Sequence, residues 1–163
     1  MTAATATITT TVDSPIGMLT LSASDGLLTG MFMPDQKHAP TTASQWDRDD
    51  AWFAEITEQL DQYFAGTLSQ FDLPIRMDGT DFQRRVWSHL RQIPYGETIS
   101  YGDLARRVGS PNASRAVGSA NGRNPVAVIV PCHRVIASDG SLGGYGGGLA
   151  RKTWLLDHEA ANR

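Results

Sequence analysis

The chain has 163 residues, of which 40% are apolar, 19% charged and 8% aromatic, a composition that excludes a disordered, collagen-like or coiled-coil protein and fits one large domain or two small ones. Its longest apolar run, Val126 to Val130, is five residues, far short of the roughly 18 that a membrane span needs. The formal net charge of −3 hides a split, because residues 1–79 carry three bases and eleven acids whereas residues 80–163 carry eleven bases and six acids. Ten of those eleven bases are arginine, the side chain that suits planar and phosphate-rich ligands, so the second half carries a nucleic-acid hint. The N-terminal stretch MTAATATITTT has no basic segment followed by an apolar one, and a cytoplasmic protein without membrane attachment is expected. Its single cysteine, Cys132, excludes a disulfide within the chain and a zinc site of the multi-cysteine type.

In chain order, Thr7–Val12, Met18–Ala23 and Leu27–Phe32 are β-favouring runs separated by the turn-forming DSPIG and SDG, which predicts an antiparallel meander. A polar loop from Met33 to Asp47 follows. Trp52, Phe53, Ile56, Leu60, Tyr63 and Phe64 then recur at helical spacing, with Gly66 as the stop. Phe71–Ile75 is a candidate further strand, and Asp78-Gly79 is the expected boundary between a domain over 1–79 and a domain over 80–163. Thr80 and Gln83 form a capping-box pattern before a helix carrying Phe82, Val86 and Leu90 on one face. Ser100, with Asp103 three residues on, predicts a second helix running to Gly109, and Asn112 a third ending near Gly122. Two short helices joined by a Gly-Ser-Pro turn outline a helix-turn-helix, a pattern shared with αα-hairpins that touch no DNA. The third helix is built from small residues, Ala113, Ser114, Ala116, Gly118, Ser119 and Ala120, with Arg115 as its long side chain near the start.

Asn124-Pro125 leads into Val126–Val130 and then Pro131, Cys132, His133 and Arg134, which reads as a buried extended segment delivering a thiol to its end. Proline before the cysteine lacks an N–H and restricts Val130. The adjacent histidine and arginine make an electropositive setting of the kind that lowers a thiol pKa from its ordinary ~8.5. The glycine-rich stretch around Tyr145, GGYGGG, lacks the lysine and spacing of a phosphate-binding P-loop and reads as a close-approach loop.

The run IVPCHRVI, preceded by NP and followed by GGYGGG and a helix ending in His158-Glu159, closely resembles the O6-alkylguanine-DNA alkyltransferases, also called methylated-DNA–protein-cysteine methyltransferases. FQRRVW, IPYGETISYGDLA and RAVGSANGRNP resemble the same family, so the similarity covers residues 80–163; SPIG and YFAG extend it more loosely into the first half. The resemblance implies an α/β fold: a small N-terminal antiparallel sheet with a helix, ribonuclease-H-like, and a mainly helical C-terminal domain with a helix-turn-helix. It also implies a suicide reaction in which the Cys132 thiolate takes the alkyl group from O6 of guanine in duplex DNA. In that pattern His133 accepts the thiol proton through a water and Glu159 orients the histidine, the nucleophile, base and orienter logic of known triads. Asn124 holds the turn beside the site. Tyr145 donates toward the purine ring, with backbone groups near Cys132 and Val135 reading the guanine edges and Gly146 standing where some relatives have serine. The lesion lies inside a duplex, so the nucleotide must be turned out at a cost of a few kcal/mol. Arg115 then enters the base stack from the minor groove, Tyr101 presses the target phosphate, and Ala113, Ser114 and Ala116 line the groove contact. No cofactor and no metal is expected, since the cysteines that build a zinc site in some relatives are missing from this sequence. The expected partner is double-stranded DNA carrying O6-alkylguanine, bound by a monomer, with cooperative binding along DNA left open. Two rivals are weighed against this: a cysteine hydrolase using Cys132 and His133, whose neighbouring positions suit direct proton exchange poorly, and a DNA-binding regulator without chemistry. Alkyltransferase-like proteins that only bind lesions carry tryptophan in place of the cysteine, and Cys132 argues against that class.

Overall fold

The computed structural model describes residues 6–163; residues 1–5, the start of the expected first domain, lie outside the described residues. Alternation and turn chemistry build the first half. Strands β1 (Ile8–Val12), β2 (Leu19–Ser24) and β3 (Leu27–Phe32) form the antiparallel meander, and Leu19, Leu21 and Ala23 share the buried face of β2 at the strand period of two. The β2–β3 hairpin turns through Asp25 and Gly26, both left-handed at φ 56° and 76°, as a two-residue type I′ turn requires. The stretch expected to be only loop contributes a fourth strand, β4 (Asp47–Arg48), parallel to β1 in the order β3-β2-β1-β4. Two polar residues offer no alternation by which to recognise it. Helix α1 (Ala54–Phe64) buries Ile56, Leu60 and Tyr63. The expected strand at Phe71–Ile75 is reduced to one bridge, Leu28 to Ile75, because Pro74 has no N–H to continue a ladder.

The second half opens with α2 (Asp81–Leu90), whose capping box is complete: Thr80 Oγ1 accepts from the Gln83 N–H at 3.1 Å and Gln83 Oε1 accepts from the Thr80 N–H at 2.9 Å. Its Trp87 donates Nε1–H to the Ala120 carbonyl at 2.8 Å, docking it on α4 (Ser114–Gly122). Helix α3 (Tyr101–Arg107) is capped by Ser100 Oγ, which accepts from the Asp103 N–H at 3.0 Å. Asn112 does not cap α4. Ala113 holds that position without a side-chain bond, its N–H spent on the Ser110 carbonyl in the preceding turn. Strands β5 (Ile99–Ser100) and β6 (Val135–Ile136) pair in parallel, fixing the start of α3 beside the segment that follows Cys132. Helix α5 (Leu149–Ala161) closes the chain.

One hydrophobic core runs through both halves, from Leu19, Met31 and Phe53 to Val86, Leu104, Val126 and Leu155. The fold is thus the expected α/β one, a sheet with its helix followed by a mainly helical part with a helix-turn-helix. Among the described residues no helix is long and apolar enough to cross a membrane.

Candidate active site

The segment before Cys132 is buried as expected but is not extended. Val128 adopts φ 69°, an outlier for a β-branched residue and the sort of strain that surrounding structure must hold in place. The Ile129 N–H donates to the Ala127 carbonyl at 2.8 Å and the Val130 N–H to the Val126 carbonyl at 3.0 Å, which folds the run into a tight double turn. Asn124 clamps that turn, donating Nδ2–H to the Val130 carbonyl at 2.7 Å and accepting the Val126 N–H at 3.0 Å. The chain leaves it through Pro131 into a 3-10 turn, Cys132–Arg134, which puts Cys132 in the cavity wall and His133 and Arg134 on a shared partner.

His133 and Arg134 converge on Glu159 of α5. Glu159 accepts from His133 Nε2 at 2.7 Å, from Arg134 Nε at 2.7 Å and Nη2 at 3.0 Å, and from the Tyr63 hydroxyl of α1 at 2.5 Å. Burial works against the Glu159 charge, but the bonds from His133 and Arg134 outweigh it and hold the carboxyl well below the usual range. Burial likewise keeps the His133 pKa below its ordinary 6.5, with Glu159 only partly opposing. The imidazole is therefore neutral. A carboxylate accepts and cannot donate, so the proton sits on Nε2 and leaves Nδ1 as a lone pair; that atom is buried without a hydrogen-bond partner among the described residues. The group as a whole is a neutral base with its orientation fixed from behind.

The electropositive activation expected of the thiol is not what the resting structure provides. Burial pushes the Cys132 pKa up, and the opposing influences come from Asn124, Lys152 and Tyr145 rather than from the neighbouring His133 and Arg134. The reason is local: the arginine's charge is spent on Glu159, and the histidine is neutral.

Cys132 lies in the wall of a cavity of about 340 Å³, within the range of small-molecule sites. Tyr145 and Gly146 line it from the glycine-rich loop. The Tyr145 hydroxyl is buried with no hydrogen-bond partner among the described residues, its ionisation suppressed by burial and by Cys132. Gly143 is required by its left-handed φ of 69° and by close approach, since a Cβ there would lie 2.9 Å from the Tyr101 ring; Gly147 packs against Met33. Tyr101, at the start of α3, forms another wall of the cavity and reaches the Gly144 carbonyl at 3.4 Å. Val135 is fully buried in β6 outside the cavity lining, and its carbonyl accepts from Lys152 Nζ at 2.7 Å. Lys152 also donates to the carbonyls of Leu142 and Gly144. Its three N–H bonds thus tie α5 to β6 and to the loop, while burial brings its pKa down to about 8.

Gly118, Ser119 and Asn121 of α4 complete the cavity on the helix-turn-helix side. On the same helix Ser114, Arg115 and Ala116 are exposed and Ala113 is half-buried. Arg115 makes no ion pair or side-chain hydrogen bond among the described residues, whereas Val117, Ala120 and Asn121 face inward. The N-terminal half contributes as well, since Met33, Gln36, Lys37 and His38, from the loop after β3, line the cavity. Sequence reasoning assigned no role to these four, to Tyr63, to Arg134 beyond its charge, or to Lys152. Lys152 carried one available signal, as the sole lysine among the bases of the second half. Among the described residues no cluster of three or more His, Cys, Asp or Glu side chains is placed to hold a metal ion.

Comparison with known proteins gives the same picture over nearly the whole chain. Residues 7–77 match the ribonuclease-like domain of 6-O-methylguanine DNA methyltransferase, and residues 81–161 match its DNA-binding domain. A methylated-DNA–protein-cysteine methyltransferase of Mycolicibacterium paratuberculosis is 55% identical over 90% of this chain and 88% of its own length. The crystal structure of Mycobacterium tuberculosis O6-methylguanine methyltransferase superimposes with a TM-score of 0.89 at 48% identity, covering 96% of this chain and 94% of that one. Mycobacterium tuberculosis OGT in complex with DNA gives 0.91 at 50% identity, covering 95% and 94%. With both halves matched in order and a lone thiol in the cavity between them, the chain belongs to the 6-O-methylguanine DNA methyltransferase family.

Proposed function

We propose that the protein repairs DNA by direct reversal, transferring the alkyl group of O6-alkylguanine irreversibly to Cys132 after the damaged nucleotide has turned out of the duplex into the cavity. One observation carries this reading: the chain's only thiol lines a cavity beside an exposed helix-turn-helix, with a neutral, carboxylate-oriented histidine as its neighbour in sequence. The name of the relatives and the DNA complex of one of them support it.

In the reaction the thiol proton passes through a bridging water to His133 Nδ1, and Glu159 stabilises the imidazolium that forms. The thiolate attacks the alkyl carbon, a sulfur–carbon bond forms, and the carbon–O6 bond breaks with its electron pair remaining on the purine. Tyr145 faces that developing charge with its hydroxyl, the electrostatic help a leaving group needs. The departing guanine takes up one proton in place of the one the sulfur lost, so atoms and charge balance without a cofactor. A thioether offers no leaving group to water, and each chain acts once.

Arg115 fills the space left in the duplex, with Ala113, Ser114 and Ala116 against the groove, and Tyr101 braces the turned-out nucleotide. Contacts of this kind position without reading sequence, which suits a repair protein. All the residues named belong to one chain, so a monomer suffices, and a thiol that must stay reduced suits the cytoplasm. The test is Cys132→Ala. The variant is expected to keep binding duplex DNA that carries O6-methylguanine while losing all methyl uptake; a regulator without chemistry would be unchanged in every respect, and that result would overturn the proposal.

A further inference from the structure

The acidic first half has three bases, Lys37, Arg48 and Arg76, and two of them are committed within the fold. Arg48 pairs with Asp50 at 2.9 Å, and Arg76 pairs with Asp25 and Asp78 at 3.1 Å. Lys37 is exposed, has no ion pair among the described residues, and is the one of the three that lines the Cys132 cavity. It does not hang there on a loose loop. Its backbone N–H donates to the Gly146 carbonyl at 3.0 Å, and the loop turns twice through left-handed residues, Asp35 and His38. Arg151 of α5 bridges the two loops, donating Nη1–H to the carbonyls of Pro34 and Gly147 at 3.0 Å each. A cation is thus built into the cavity rim, on a half whose overall charge would otherwise repel a polyanion.

Resting on the alkyl-transfer reading, we propose that the loop after β3 is a phosphate lip: Lys37 pairs with a backbone phosphate of the nucleotide that has entered the cavity. The N-terminal half then takes part in holding the substrate. A base turned past α4 carries its own phosphate to the cavity rim, where the helix-turn-helix contributes only uncharged residues, Tyr101, Gly118, Ser119, Asn121 and Gly122. Lys37 supplies the positive charge there. Because the contact is to phosphate, it acts on every sequence equally and is screened by salt.

The experiment compares Lys37→Ala and Lys37→Arg with the unmodified protein. Two quantities are measured: affinity for a duplex containing O6-methylguanine across a salt series, and methyl transfer from that duplex and from free O6-methylguanine base. Loss of one phosphate contact is expected to flatten the slope of log affinity against log salt by about 0.9. It is also expected to lower transfer from the duplex by at least about fivefold more than transfer from the free base, with arginine restoring both. An unchanged salt slope, or equal losses on the two substrates, would overturn the lip and reduce Lys37 to a structural part of the loop. If the unmodified protein took methyl from neither substrate, alkyl transfer itself would be overturned, while the salt slope would still decide whether Lys37 meets DNA.

Discussion

Four hydrogen bonds from three residues meet on the Glu159 carboxylate, and the arrangement sets how the site responds to acid. His133 is held neutral below its ordinary 6.5, so unfolding takes up a proton and stability falls as the pH drops below about 6.5. Glu159, held below its ordinary 4.5, binds fewer protons folded than unfolded, so a second loss begins below about 4.5 and continues through its lowered folded value. The two effects have the same sign. Urea unfolding midpoints measured from pH 7.5 to 4 should therefore decline from near 6.5 downward, and His133→Gln should remove the first part of the decline while leaving the second. A midpoint that stayed level between pH 7 and 5 would contradict a neutral buried imidazole. The same neutrality explains how a thiol with a raised pKa can serve as nucleophile. In the proposed mechanism proton transfer to His133 takes place when substrate is bound, and burial keeps the thiol protonated in between. Adjacency of Cys132, His133 and Arg134 was visible in the sequence, but not that the arginine would be consumed by Glu159, a partner 25 residues away.

At the scale of elements, helix α4 divides its residues between two tasks. Val117, Ala120 and Asn121 face the core, whereas Ser114, Arg115 and Ala116 stand exposed at its start. Small side chains around one free arginine allow close approach to a groove, and a wedge is needed only where a stack must be opened. Arg115→Ala is accordingly expected to lower transfer from duplex DNA by about tenfold or more and to change transfer from the free alkylated base by less than about twofold; single-turnover rates on both substrates check this, and equal losses would remove the wedge role. Local signals made the helices and hairpins readable: the Thr80–Gln83 box, the Ser100 cap and the Asp25-Gly26 turn are each decided by residues within three positions of one another. The elements that escaped are those whose geometry is imposed from a distance. β4 exists because β1 offers it an edge, and the turn around Val128 is held by the Asn124 side chain against the conformational preference of valine.

Over the whole molecule, the two halves differ in charge but share one core, and the site draws on both. Tyr63 of α1 donates to Glu159 across 96 positions of sequence, and the loop after β3 borders the cavity next to Tyr145. Motif order along residues 80–163 was enough to assign the chemistry to the second half, yet it gave no residue of the first a place in the site, because long-range contacts leave no periodicity and no spacing behind them. In the proposed reaction the protein surrounds one reduced sulfur with a base, an orienting carboxylate, a hydroxyl and a cavity, and uses that sulfur once. The most direct test is intact and peptide mass spectrometry of the folded, reduced protein after incubation with excess duplex DNA containing O6-methylguanine. The account predicts a gain of one methyl group per chain, confined to the peptide that contains Cys132, with unmodified guanine left in the DNA. Protein recovered with Cys132 unmodified, or methylated elsewhere or more than once per chain, would contradict it.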